Sequence, residues 1–220
     1  MSEHSKIRYG FDETMPKGKS LGLVAMGESK TTFMSRVMHN NGSKPHDHVW
    51  ACNLAATLLH PDLYDTIWMM DDAVEHNFPW LENLYKTNKP IFTSTAYPDL
   101  YDNFVEYPLN DVKEFVKNEP RPDCTTAYAF VYALMCGDYD EIYLYGTDFV
   151  FPALPDIFWQ RMDEIGGECF VRGHSCMNYW TGKAVGAGIN VIVPEQSGLL
   201  YYDNNKPWYG YRKDNPDGNE

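Results

Sequence analysis

Residues 171–180 read VRGHSCMNYW, and within them His174 is the side chain whose ordinary titration lies nearest neutrality. A histidine of this kind can take the proton of an attacking hydroxyl as a general base. It can equally cap a helix and do no chemistry. Placed at a helix N-terminus, its neutral, proton-accepting form is favoured by the helix dipole. Four further stretches carry groups suited to a small-molecule ligand. "MGESK" (26–30) offers a glycine turn at Gly27, followed by Ser29 and Lys30. "YGTD" (145–148) offers Gly146, Thr147 and Asp148, the last being the second candidate for proton transfer. Asn53 closes an apolar run, and "MMDD" (69–72) ends another on Asp71 and Asp72. Small, amide and acidic groups of this kind suit a nucleotide: backbone N–H groups for phosphate, side chains for ribose and base.

Several stronger readings fail on spacing. Gly22 and Gly27 have the separation of a P-loop, but Lys30 does not follow the second glycine directly. Adjacent carboxylates on a strand point opposite ways, so Asp71 and Asp72 are ligands only if the chemistry is metal-dependent. "HDH" (46–48) lacks a third ligand for a metal site. The five cysteines form no CxxC pair and read as free thiols of a reducing cytosol. No cofactor is required by any of these groups, although a divalent metal stays open.

The elements that must position these groups alternate. "LGLVAM" (21–26), "HVWACN" (48–53), "DTIWMM" (65–70), "PIFTS" (90–94), "NFVEYP" (103–108), "EIYLYG" (141–146) and "NVIVP" (190–194) read as seven buried strands. Helices are expected at 31–38, at 125–137 with a glycine stop, and directly after His174. This alternation implies an α/β, Rossmann-like fold: a mostly parallel sheet with helices on both faces. Ligands then sit at the carboxyl ends of the strands, where the candidate residues cluster. The expected organisation is an N-terminal extension over 1–20, a single domain over 21–200, and a tail over 201–220. The long connection 151–173 reads as a lid with a short helix near 156–165.

The chain has 220 residues and a formal net charge of −13, which disfavours non-specific nucleic-acid binding. No run of about 18 apolar residues occurs, so no membrane partner is expected and the location reads as cytoplasmic. Self-association stays open.

Three stretches taken together resemble the bacterial sialyltransferases of glycosyltransferase family 42: "TTAYAFVYALMCGDYDEIYLYGTDF", then "VRGHSCMNYW", then "INVIVPEQSGLL". The layout is also similar to that of related phage and bacterial Rossmann-like proteins, and it spans about residues 21–200. The resemblance implies a GT-A variant fold and a nucleotide-sugar donor, CMP- or UDP-linked. It implies that Gly27, Ser29, Lys30, Asn53, Asp71, Thr125, Gly146 and Thr147 bind that donor, and that His174 is the base. Where the family has a tyrosine directly after its turn, this chain has Val150, which leaves the donor open. The acceptor is expected to be a hydroxylated pyrimidine of phage DNA or, alternatively, a carbohydrate. Two other classes remain: a Mg²⁺-dependent pyrophosphokinase of the pterin type, which shares this fold group, and a non-catalytic nucleotide-binding protein.

Overall fold

The structure, a computed structural model, describes residues 7–9, 18–76, 79–149 and 156–199, with side chains described for 18–75, 79–149 and 171–199. Among the described residues eight strands form one parallel sheet: β1 (Ile7–Tyr9), β2 (Ser20–Val24), β3 (His48–Cys52), β4 (Thr66–Trp68), β5 (Ile91–Thr93), β6 (Phe104–Glu106), β7 (Glu141–Tyr145) and β8 (Asn190–Val193). Their order is β1-β8-β7-β2-β3-β4-β5-β6, and every pairing is parallel. The seven expected strands all form. The eighth, β1, lies within the stretch expected as an extension and pairs with the edge of β8, Ile7 opposite Val191. Its three residues are too few to show a period, which is why the sequence pattern passes over them.

Parallel strands are covered on both faces, so they read as continuous apolar runs rather than alternating ones. Leu21 and Leu23 of β2 point into one core with Trp50, Trp68, Ile142 and Leu144, under helices α5 (Leu109–Val116), α6 (Thr125–Cys136) and α7 (Asp156–Gly186). Val24 points the other way, toward Val49, Ile67 and Tyr145, under α1 (Lys30–His39), α2 (Ala55–Leu58), α3 (Ala73–His76) and α4 (Leu81–Tyr85). Helix α6 is apolar around most of its circumference because it lies between the sheet and its neighbours α5 and α7. It ends at Gly137 with φ +66°, the left-handed turn expected of a glycine stop.

One difference bears on function. The sequence reads as a short helix near 156–165 and a second helix opening at His174. Instead α7 runs unbroken from Asp156 to Gly186, and His174 lies well inside it. Glycine lowers helix propensity without forbidding a helix, and Gly173 has a packing reason to be there. A Cβ at that position would stand 2.8 Å from the Phe149 ring and 3.6 Å from Cys124. The remainder of the expected lid, 151–155, and the tail, 201–220, lie outside the described residues.

Candidate functional site

After β2 the chain adds strands in one direction through β6, then crosses back so that β7 pairs with the other side of β2. Strand order therefore reverses at β2, and a crevice is expected beyond the carboxyl ends there. A cleft of about 190 Å³ occupies that position. Gly27 follows β2, Asn53 follows β3, Thr125 and Thr126 begin α6, and Gly146–Phe149 follow β7; all line it. Of the residues expected to hold a donor, Gly27, Asn53, Thr125, Gly146 and Thr147 thus meet in one place.

Ser29 and Asp148 fasten two of those turns together. Asp148 is 3% exposed. Its Oδ2 accepts from the Ser29 backbone N–H at 2.8 Å, and its Oδ1 accepts from the Ser29 hydroxyl. That hydroxyl oxygen in turn accepts from the Gly146 N–H at 2.8 Å. The fit demands glycines. A Cβ on Gly27 would collide with the Asp148 carboxylate, and one on Gly146, where φ is +68°, would collide with the Ala25 carbonyl. Both carboxylate oxygens of Asp148 are thus engaged by Ser29.

Two other residues lining the cleft carry an oxygen without a partner. Asn53, with φ +51°, lends its amide N–H to Thr125 Oγ1 at 3.4 Å, while its Oδ1 is buried with no hydrogen-bond partner. Thr147 Oγ1 is likewise buried without a partner. The N-cap of α6 is Cys124, which supplies no oxygen cap, and Thr125 and Thr126 of the first turn line the cleft. Lys30 sets its ammonium against the carbonyls of Met26 and Gly27, at 3.1 and 3.4 Å. Cys52 and Cys124 also line the cleft, but burial pushes their thiols up to about 12 and about 11, so they stay protonated and are poor nucleophiles.

His174 is half-buried and meets the cleft through Phe149, whose ring it touches edge-on with centroids 5.7 Å apart. Its Nε2 lies 2.8 Å from the Leu199 carbonyl oxygen, and Asn178 Nδ2 lies 3.4 Å from both ring nitrogens. A carbonyl only accepts, so Nε2 carries the hydrogen and the neutral ring keeps its lone pair on Nδ1. The helix dipole acts within the first turn, and His174 is too far along α7 to feel it. What orients this histidine is the loop after β8. The sequence reading used that loop, "INVIVPEQSGLL", only as part of the resemblance and assigned none of its residues to the site.

Solved structures supply the comparison. The chain matches the sialyltransferase CstII from Campylobacter jejuni, solved in complex with the substrate analogue CMP-3FNeuAc, with a TM-score of 0.50 and 15% identity over 86% of this chain and 93% of that one. The fold is sialyltransferase-like. A structure of a mutant alpha-2,3/8-sialyltransferase CstII matches with a TM-score of 0.48 and 15% identity, over 84% of this chain and 90% of that one. No family model and no curated protein matches the chain. At this identity the likeness is one of fold.

The acidic pair sits beyond β4, apart from the residues lining the cleft. Asp72 Oδ1 accepts from the backbone N–H groups of Val74 and Glu75, both at 3.0 Å, and its two oxygens accept from the Tyr97 hydroxyl at 2.9 and 2.7 Å. Those bonds, the Glu75 N–H first and the Tyr97 hydroxyl next, hold its carboxyl below the usual range. Asp71 offers its backbone carbonyl to Thr93 at 3.4 Å. The HDH stretch scatters: His46 turns to the Tyr145 hydroxyl, Asp47 to Ser20, and His48 to the Tyr139 hydroxyl. Among the described residues no group of three or more His, Cys, Asp or Glu is arranged to hold a metal. No helix among them is long and apolar enough to cross a membrane.

Proposed function

We propose that the protein is a glycosyltransferase whose nucleotide-sugar donor lies in the cleft between Gly27, Asn53, Thr125 and Gly146–Thr147. The observation that carries this reading is the pair of buried oxygens, Asn53 Oδ1 and Thr147 Oγ1, left without partners at the switch in strand order. A buried polar atom left unpaired costs about 1–3 kcal/mol, and native proteins keep few of them. A pyrimidine amino group or a ribose hydroxyl would supply the missing partners. The uncapped start of α6 and the Lys30 ammonium favour the negative charge of a phosphate.

The acceptor hydroxyl oxygen attacks the anomeric carbon, and the bond from that carbon to the phosphate oxygen breaks. The phosphate leaves with the electron pair, and the hydroxyl proton passes to Nδ1 of His174. Asp148, held by Ser29, keeps the two phosphate-facing turns in register. Fold likeness to an enzyme solved with CMP-3FNeuAc supports a CMP-linked donor and a carbohydrate acceptor. The net charge of −13 weighs against the alternative acceptor, a modified pyrimidine in DNA.

Thermal protection by CMP, UDP, GDP and ATP tests the reading, because a ligand that binds only the native state raises the melting temperature. CMP or UDP is expected to protect, and the matching sugar donor to be slowly hydrolysed when acceptor is absent. Protection by ATP alone, with a Mg²⁺ requirement, would point to the pyrophosphokinase instead. Binding of a nucleotide with no turnover of any donor would leave a non-catalytic binding protein.

A further inference from the structure

The loop after β8 is bonded to both halves of the site. The Ser197 hydroxyl donates to the Thr147 carbonyl at 3.3 Å, and its oxygen accepts from the Leu199 N–H at 3.3 Å. Ser197 is 6% exposed and Leu199 fully buried, and the Ser197 N–H closes a turn onto the Pro194 carbonyl at 2.9 Å. Leu199 then presents its carbonyl oxygen to His174 Nε2 at 2.8 Å. One hydroxyl therefore joins Thr147, in the donor cleft, to the carbonyl that faces the histidine.

We propose that Ser197 is a positioning residue: by holding the Leu199 carbonyl against Nε2, it fixes His174 in the Nε2–H tautomer and makes Nδ1 the atom that receives the acceptor's proton. The reason is electrostatic. With the other tautomer, an imidazole lone pair would face a carbonyl lone pair at hydrogen-bond distance, and the two repel. Remove the Ser197 hydroxyl and Leu199 loses the partner of its N–H, so the carbonyl is no longer held and both tautomers become accessible. Binding of a nucleotide beside Thr147 would be felt at His174 through the same hydroxyl. The inference rests on His174 acting as the base, but the tautomer itself can be read without turnover.

The test is a long-range proton–nitrogen spectrum of the full chain with its seven histidines labelled, the His174 signals being those lost in His174→Gln. In the parent, Nδ1 should show the unprotonated ring signal and Nε2 the protonated one. Ser197→Ala should mix the two forms and slow turnover roughly five- to tenfold with nucleotide affinity unchanged, the scale of a lost hydrogen bond. Ser197→Thr, which keeps the hydroxyl, should restore the single tautomer. If Ser197→Ala does not fold, Ser197→Cys keeps the volume with a weaker donor and should show the same mixing. A parent spectrum with hydrogen on Nδ1, or a Ser197→Ala spectrum identical to the parent's, overturns the proposal. Failure of the glycosyltransferase reading is seen separately, in the nucleotide-protection experiment.

Discussion

Two polar corners lie along the carboxyl ends of this sheet, and they use their hydrogen bonds differently. Beyond β4 and β5, Asp72 spends its oxygens on two backbone N–H groups and a tyrosine hydroxyl. Beyond β2, β3 and β7, Asp148 is equally committed, but around it Asn53 Oδ1 and Thr147 Oγ1 have nothing to bond. The first corner is complete as protein. The second leaves two buried oxygens unpaired. A carboxylate at the end of a strand attracts attention in a sequence, yet in the structure it is the neighbours with unmet bonds that line the proposed site.

The largest effect that separates the corners is expected at His174. His174→Ala should leave nucleotide affinity near the parent's while slowing turnover by about 10²–10⁴-fold, the usual scale of a lost general base. Calorimetric binding and single-turnover rates on one preparation check both. Near-parental turnover would take the proton-accepting role away from His174, and the cleft would then be a binding site without this base.

Unmet bonds also occur away from the cleft, at Tyr64 Oη, Trp68 Nε1, Asn103 Oδ1 and Thr181 Oγ1 among others, and under α1 pH exposes one of them. His46 Nδ1 is also buried without a partner, while its Nε2 meets the Tyr145 hydroxyl at 2.8 Å. Burial first, then the charge of Arg36, lowers its pKa to about 3 against the opposing pull of Asp47. Unfolded, the ring titrates near 6.5, so between 6.5 and 3 the unfolded chain holds a proton that the native one refuses. Stability therefore rises with pH in that window and is lost as pH falls through it. From pH 6.5 to 4.5 the loss is about 2–3 kcal/mol. His46→Gln should flatten the fall in a denaturant series. Equal slopes for parent and variant would mean that another group drives it. An unmet bond is thus a cost in the core and an invitation only where a cleft adjoins it.

The sheet was legible because each strand of a parallel sheet is an unbroken apolar run, as "EIYLYG" and "NVIVP" are. The place of Gly27, Asn53 and Gly146 at one end of the sheet, where they line the cleft, was legible for the same reason: each closes or directly follows such a run. What was not legible depends on contacts distant in sequence. Nothing in "RYG" announces a strand that pairs with residues 191–193. Nothing in "RGHS" tells a glycine that opens a helix from one kept small inside it by Phe149. Asp148 reads as a candidate base, and only the fold reveals that Ser29, 119 positions away, takes both its oxygens.

Smaller changes should fall on affinity in one corner only. Asn53→Ala and Thr147→Val each remove an atom expected to bond the nucleotide, so each should weaken binding about three- to tenfold. Melting temperature without ligand should hold or rise, because a buried unpaired oxygen has been removed. A variant that loses stability but binds nucleotide as well as the parent would place the unmet bonds outside the donor site.

The smallest effect is expected at Asp72, and it decides what the acidic pair is for. As a helix cap tied to Tyr97, Asp72 stabilises a local corner. Asp72→Ala should then lower the melting temperature by no more than a few degrees and leave nucleotide affinity and turnover near the parent's. Turnover should also survive EDTA if, as proposed, the start of α6 and Lys30 meet the phosphate in place of a metal ion. A metal site predicts the reverse: EDTA abolishes turnover, Mn²⁺ restores it, and Asp72→Ala costs as much as losing the ion. The two accounts compete, since Asp72 Oδ1 already accepts from Val74, Glu75 and Tyr97, and a cation bound at Oδ2 would compete with the Tyr97 hydroxyl there. Recovery by Mn²⁺ after EDTA would therefore show that the corner that looks complete is the one that opens.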